Sequence, residues 1–219
     1  MKQKIVIASS NQHKIQEISQ ILDLNENEYE VISQTNFNVP ECPEPFLTFI
    51  ENSLAKARHT SKYTNLPAIA DDSGICIPAL SGMPAVHSAR WAEFNDYAPE
   101  ITDKDKRNNL YLCHKIEELY KQNLSIEHIN KPKITAYYYC TIVMVKNELD
   151  PAPIISTARL YGEIQLIPKG NNGFGYDPHF YLPQLNKTAA ELTAQEKNQI
   201  SHRRLAINKF LHEFKEMIN

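Results

Sequence analysis

No stretch of this sequence approaches the roughly 20 apolar residues that cross a bilayer. The first apolar run, Ile5 to Ala8, is too short for a secretory signal. Basic residues are not in surplus: 23 Lys and Arg stand against 26 Asp and Glu, a net charge of -3. A protein that coats a polyanion normally shows a basic excess, which argues against nucleic acid as a partner. A small basic pocket for one anionic ligand stays open. The four cysteines, Cys42, Cys76, Cys113 and Cys140, have no CxxC spacing and read as reduced thiols of a cytoplasmic protein. Glycine is scarce, 6 in 219 residues, yet Gly170, Gly173 and Gly175 crowd into one short segment. Unusual backbone dihedrals, or close approach of a ligand to the main chain, are therefore concentrated there.

What is present suffices for a folded core. Hydrophobic residues make up 42% and charged residues 22%, proportions too apolar for a disordered chain. Ile5 to Ala8 predict a strand, and Ile15, Ile18, Ile21 and Leu22 recur at helical spacing after a polar turn. A second helix is expected from Thr48, a suitable N-cap, to Tyr63. A third should run from Asp103 to Gln122 with Leu110, Ile116 and Leu119 inward, and a last one from Ser201 to Ile218 with Leu205, Phe210, Leu211 and Phe214 inward. Strands are expected at Val31–Ile32, Pro67–Ala70, Ile75–Ile77, Ile134–Val145 and Ile154–Ile167, the last broken near Gly162. Asn123 to Lys133 reads as a polar connection. Interleaved strands and helices, without repeats or a low-complexity linker, give an α/β class and one domain over 1–219.

Four constellations carry chemistry. Ser9, Ser10, Asn11, Gln12, His13 and Lys14 join a strand end to a helix start. Free backbone N–H groups, the helix dipole and a lysine there make an anion site, although a solvated cap with a surface lysine leaves the same trace. Asp71 and Asp72 follow an apolar strand, with Ser73 and Gly74 expected to turn the chain. Such a strand end commonly carries ligand groups in α/β proteins, and carboxylates suit magnesium. Successive strand side chains point oppositely, so one acid should ligate or act as base while the other holds the turn. Glu41 and Glu44, in a proline-rich loop, could supply a second carboxylate. In Gly170–Pro178, an exposed Phe174 or Tyr176 could stack on a base; a tight hairpin with buried aromatics is the alternative. Finally, His202, Arg203 and Arg204 open a helix, where cations oppose the dipole unless an acceptor-rich partner compensates them.

Taken in order, these segments resemble the inosine triphosphate pyrophosphatase family. The resemblance rests on Ser9–Lys14, on Thr48-Phe-Ile-Glu-Asn-Ser-Leu-Ala-Lys-Ala57, and on Ala70-Asp-Asp-Ser-Gly74. It continues in Ser88-Ala-Arg90, in Gly173-Phe-Gly-Tyr-Asp-Pro178 and in Ala190–Asn198 running into Ser201-His-Arg203. Ser10 stands where the family has glycine, Pro84-Ala-Val-His87 replaces Pro-Gly-Val-Tyr, and the stretch between Asn95 and Lys133 is longer than usual.

The resemblance implies an elongated α/β domain with a long mixed sheet and a cleft between two lobes, usually a homodimer. It implies hydrolysis of ITP, dITP and XTP to the monophosphate and pyrophosphate, clearing deaminated purines from the nucleotide pool. Asp72 would be the general-base position and a Mg2+ ligand, with Glu41 a further ligand. The Ser9–Lys14 loop and Lys197 would hold phosphates. Ser73, Phe174, Gly175, Tyr176, Asp177, His202 and Arg203 would form the nucleoside pocket. Hypoxanthine and xanthine present a 6-oxo acceptor that Arg203 could read, whereas adenine presents a donor there.

Overall fold

The computed structural model describes residues 2–11, 14–16, 18–19, 29–122 and 133–218. Gln12, His13, Ile21, Leu22 and the connection at 123–132 lie outside the described residues. Seven strands form one sheet in the order β2-β1-β3-β4-β5-β6-β7. They are β1 (Gln3–Ile7), β2 (Tyr29–Ser33), β3 (Ala68–Cys76), β4 (Ile134–Val145), β5 (Ile154–Ile164), β6 (Phe180–Leu182) and β7 (Lys187–Thr188). β1 pairs in parallel with β2 and β3, whereas β6 pairs antiparallel with β5 and β7, so the sheet is mixed. The α/β class follows as expected. No helix among the described residues is long and apolar enough to cross a membrane.

The chain divides into two compact units. One comprises Met1–Ser73, Cys140–Ala158 and Arg203–Asn219; the other comprises Gly74–Tyr139 and Arg159–His202.

In the first unit the sheet is apolar on both faces, which is why its strands read as unbroken hydrophobic runs. Ile69 joins Ile5, Ile7, Cys140, Ile142 and Phe210 in one layer, while its neighbours Ala68 and Ala70 face Ala57, Val143 and Val145 in another. Helix α1 (Phe49–Thr64) lies over the second layer, where small residues admit it closely and Ser53 Oγ donates to Ala70 O at 3.0 Å. Its expected cap is present: Thr48 Oγ1 accepts from Glu51 N at 3.2 Å, a bond worth about 1 kcal/mol. The last helix, His202–Ile218, buries Ala206, Ile207, Phe210 and Phe214 but leaves Leu205 exposed, contrary to expectation.

In the second unit Ile75, Trp91, Leu112, Ile116, Tyr138 and Phe180 build the core. The short helix α2 (Trp91–Phe94) precedes α3 (Lys104–Gln122). The buried stripe of α3 is Asn108, Leu112 and Ile116, and Leu110 is 41% exposed. The sequence phase misled because the inward stripe starts with a polar residue, Asn108. Its Oδ1 accepts from Ala92 N at 2.9 Å and its Nδ2 donates to Ala89 O at 3.2 Å.

Two further expectations fail. β3 runs straight through Asp71-Asp72-Ser73-Gly74 without a turn, held beyond it by Ile75 N donating to Ser88 Oγ at 2.9 Å. β5 is not broken at Gly162. A Cβ at Gly162 would stand 2.7 Å from Cζ of Phe180, so the glycine lets β6 close onto β5. The β6–β7 hairpin and helix α4 (Ala194–Ile200) were not expected. Thr193 and Glu196 form a capping box at the start of α4, legible in hindsight as Thr-x-x-Glu. The closing helix is then α5 (His202–Ile218).

Candidate active site

The first unit assembles charge. β1 leads into Ser9-Ser10-Asn11, where Asn11 N donates to Ser9 Oγ at 3.2 Å and Asn11 Oδ1 accepts from Lys14 N at 3.3 Å. Ser10 and Asn11 are exposed, and Lys14 lies in helical backbone. The Lys14 side chain turns to Asp71, with Nζ 3.0 Å from Oδ2.

Asp71 and Asp72 diverge as strand alternation requires. Asp71 is buried between Lys14 and Arg203, whose Nε lies 3.3 Å from Oδ2. Burial alone would raise its carboxyl, but Lys14, Arg203 and Lys56 together hold it well below the usual carboxylate range. Asp72 instead meets Lys56 of α1, with Oδ1 3.1 Å from Nζ. Its other oxygen, Oδ2, is buried without a hydrogen-bond partner. Burial pushes the Asp72 carboxyl upward, opposed by Lys56 and Lys14 and reinforced by Glu44. Lys56 also reaches Glu44 Oε1 at 3.1 Å. Burial disfavours its charge, yet Asp72, Asp71 and Glu44 outweigh that and hold its ammonium above the usual lysine value. Lys56 sits inside a motif that carried the family resemblance but was given no role there; only the fold reveals that it bridges Glu44 and Asp72.

Of the two loop acids, then, Glu44 joins Asp72 through Lys56, whereas Glu41 is exposed and makes no ion pair among the described residues. Arg203 also differs from expectation. Its compensating partner is Asp71, and its Nη2 donates to Ser73 Oγ at 3.2 Å, so the helix-start argument for a ligand at this cation falls away.

The second unit assembles an aromatic loop. Phe174 is 58% exposed, with Lys197 Nζ 4.7 Å from its ring centroid. Tyr176 is 3% exposed; its ring belongs to the core and its hydroxyl donates to Ser88 O at 2.9 Å, so Phe174 is the ring available for stacking. Burial drives the Tyr176 phenol far above its ordinary value and keeps it a donor. Asp177 is buried and organises the loop: it accepts from Phe174 N at 2.9 Å, from Tyr138 Oη at 3.2 Å, and from Lys197 Nζ. Gly173 has φ +77, and a Cβ there would collide with the Asp177 carboxylate. His202 stacks on Tyr138, ring centroids 4.9 Å apart and planes 14° from parallel. Tyr138 thus touches both His202 and Asp177, a role invisible in a strand that reads Ala-Tyr-Tyr-Tyr-Cys. Gly175 is hydrogen-bonded to α3 at both its N–H and its C=O.

Among the described residues no three His, Cys, Asp or Glu gather as a metal cage. Magnesium does not need one, because it is commonly held by one or two carboxylates plus substrate phosphates. The orphaned Oδ2 of Asp72, with Glu44 nearby on Lys56, fits that pattern.

Comparison with known proteins gives a consistent picture. The sequence pattern of the Ham1 family matches residues 5–213. A dITP/XTP pyrophosphatase of Nitrosomonas europaea is 48% identical over 214 residues, covering 97% of this chain and 95% of its own. One from Neisseria meningitidis serogroup B is 44% identical over 209 residues, covering 95% of each chain. The fold matches a HAM1 protein from Coxiella burnetii with a TM-score of 0.84 at 40% identity, over 98% of this chain and 99% of that one. It also matches the Ham1 protein of Staphylococcus aureus, TM-score 0.79 at 34% identity, over 99% and 100%.

Proposed function

The chain belongs to the Ham1 family, and from that premise we propose that it hydrolyses the triphosphates of deaminated purines, ITP, dITP and XTP, to the monophosphate and pyrophosphate. The observation that carries the chemistry is Asp72: a buried carboxylate with one oxygen tied to Lys56 and the other unpartnered. A buried polar atom is normally satisfied, so one that is not is prepared for a partner.

The reaction is attack of water on the α-phosphorus. The water oxygen bonds to that phosphorus, the bridge from the α-phosphorus to the β-phosphate oxygen breaks, and pyrophosphate departs with the bond electrons. Asp72 stands at the general-base position, where its carboxylate takes the proton released by water. Lys56 holds Oδ1 and fixes the carboxylate plane, while Lys14 offers cationic charge and the exposed side chains of Ser10 and Asn11 offer hydroxyl and amide donors to phosphate oxygens. Asp72 and Glu44 would hold magnesium, which when bound supplies charge neutralisation along the phosphates. Glu44 takes this place rather than Glu41 because Lys56 ties it to the same cluster.

The aromatic loop would serve the base. Phe174 offers an exposed ring for stacking, and Lys197 offers a cation beside it. The test is pyrophosphate release over a panel of ITP, dITP, XTP, ATP, GTP, dTTP and UTP, with magnesium and with chelator. Release confined to the 6-oxo purines lacking a 2-amino group, and abolished by chelator, is expected. Turnover of dTTP or UTP in preference, or none at all, overturns the proposal.

A further inference from the structure

Helix α3 lies in the segment to which the sequence motifs gave no role, yet it grips the aromatic loop at a single residue. Gly175 N donates to Asp105 Oδ2 at 2.7 Å, and Gly175 O accepts from Asn109 Nδ2 at 2.9 Å. Asp105 and Asn109 are one helical turn apart and so share a face of α3. The N–H of Gly175 belongs to the planar peptide that begins at Cα of Phe174, and its C=O belongs to the next peptide. Fixing both groups therefore fixes the backbone on the C-terminal side of the exposed ring. On the N-terminal side, Phe174 N is held by Asp177.

Asn109 is oriented for this contact. Its Oδ1 is buried without a hydrogen-bond partner, and rotating the amide would turn that oxygen onto the Gly175 carbonyl. The orientation that leaves Oδ1 unsatisfied is thus the one that grips the loop. An asparagine that served only helix packing would gain nothing from it.

We propose that Asp105 and Asn109 are positioning residues for base recognition: they hold Gly175 so that the Phe174 ring stands ready to stack on a purine. The inference rests on Phe174 as the stacking ring. It assigns to α3 control over how well the base is bound, separate from the groups that hold phosphate.

The test uses the full chain and two ligands that divide the substrate, IMP carrying the base and pyrophosphate carrying none. Binding is measured by calorimetry, independently of turnover. Asp105→Ala and Asn109→Ala should each weaken IMP about five- to tenfold, less than a whole base stack is worth, and leave pyrophosphate within twofold. Asp105→Asn keeps an acceptor oxygen toward Gly175 N and should restore IMP binding. In a Phe174→Ala background, Asp105→Ala should cost nothing further, because the ring it positions is gone. Equal losses for IMP and pyrophosphate, or full additivity with Phe174→Ala, would overturn the inference and leave α3 a packing element. Failure of the wild type to release pyrophosphate from ITP would instead sink the pyrophosphatase reading, while the IMP comparison still decides this one.

Discussion

Arg203 Nε stands 3.3 Å from Asp71 Oδ2 and the same guanidinium donates through Nη2 to Ser73 Oγ, so one side chain of α5 is anchored to two residues of β3. Such anchoring orients the planar fork of donors, which is what reading a 6-oxo acceptor requires. Arg203→Lys keeps the charge beside Asp71 but loses the fork. The variant should stay folded while its kcat/KM for ITP falls and the ITP to ATP preference narrows about tenfold. Parallel falls for both nucleotides would restrict Arg203 to holding β3.

Asp71 should matter to stability more than to turnover. It is buried with two cations against it, and removing one partner of such a set typically costs about 3–5 kcal/mol. A carboxyl depressed in the folded state contributes stability that is complete above its ordinary value and lost as pH falls toward the depressed one. The stability gap between wild type and Asp71→Asn should therefore be constant from about pH 5 to 8 and shrink below about pH 4. Urea unfolding of both proteins across that range checks it, and a gap that widens in acid would refute it.

Asp72→Asn should behave in the opposite way. The carboxylate is buried with one oxygen unsatisfied, so neutralising it should leave the melting temperature unchanged or raised. Turnover should fall roughly 10²–10⁴-fold, the range for losing a positioned base. Near-normal activity would move the base elsewhere, and a large loss of stability would make Asp72 structural.

These contrasts show what the sequence could convey. Strand alternation alone separated the two aspartates, and the apolar run before them was legible as a strand, but that it is packed on both faces is seen only in the fold. Long-range partners were not legible. Nothing local says that Lys56 meets Asp72 across 16 residues or that Arg203 meets Asp71 across 132. Glu41 and Glu44 look alike in a proline-rich loop, and only the fold shows that Lys56 reaches Glu44. The clamp on Gly175 was hidden because it runs through the backbone, where residue type leaves no trace. Tyr176 looked as exposed as Phe174 because both flank Gly175; the core claims one of them.

Phe174 separates stacking from charge. Its ring is more than half exposed, so Phe174→Ala should leave the melting temperature nearly unchanged. Binding of inosine and of ITP should both weaken by about 1–3 kcal/mol, the worth of a base on an aromatic ring. Lys14→Ala should weaken ITP far more than inosine. Calorimetry with the two ligands reads both effects, and unchanged inosine binding by Phe174→Ala would remove the ring from the site.

The most direct measurement follows one oxygen atom. ITP is hydrolysed by the wild-type protein in heavy-oxygen water and the products are separated and weighed by mass spectrometry. Attack at the α-phosphorus places the heavy oxygen in IMP and leaves the pyrophosphate unlabelled, which is the expected result. Heavy oxygen in the pyrophosphate would show attack at the β-phosphorus, and IDP with orthophosphate as first products would show attack at the γ-phosphorus; either contradicts the chemistry assigned to Asp72.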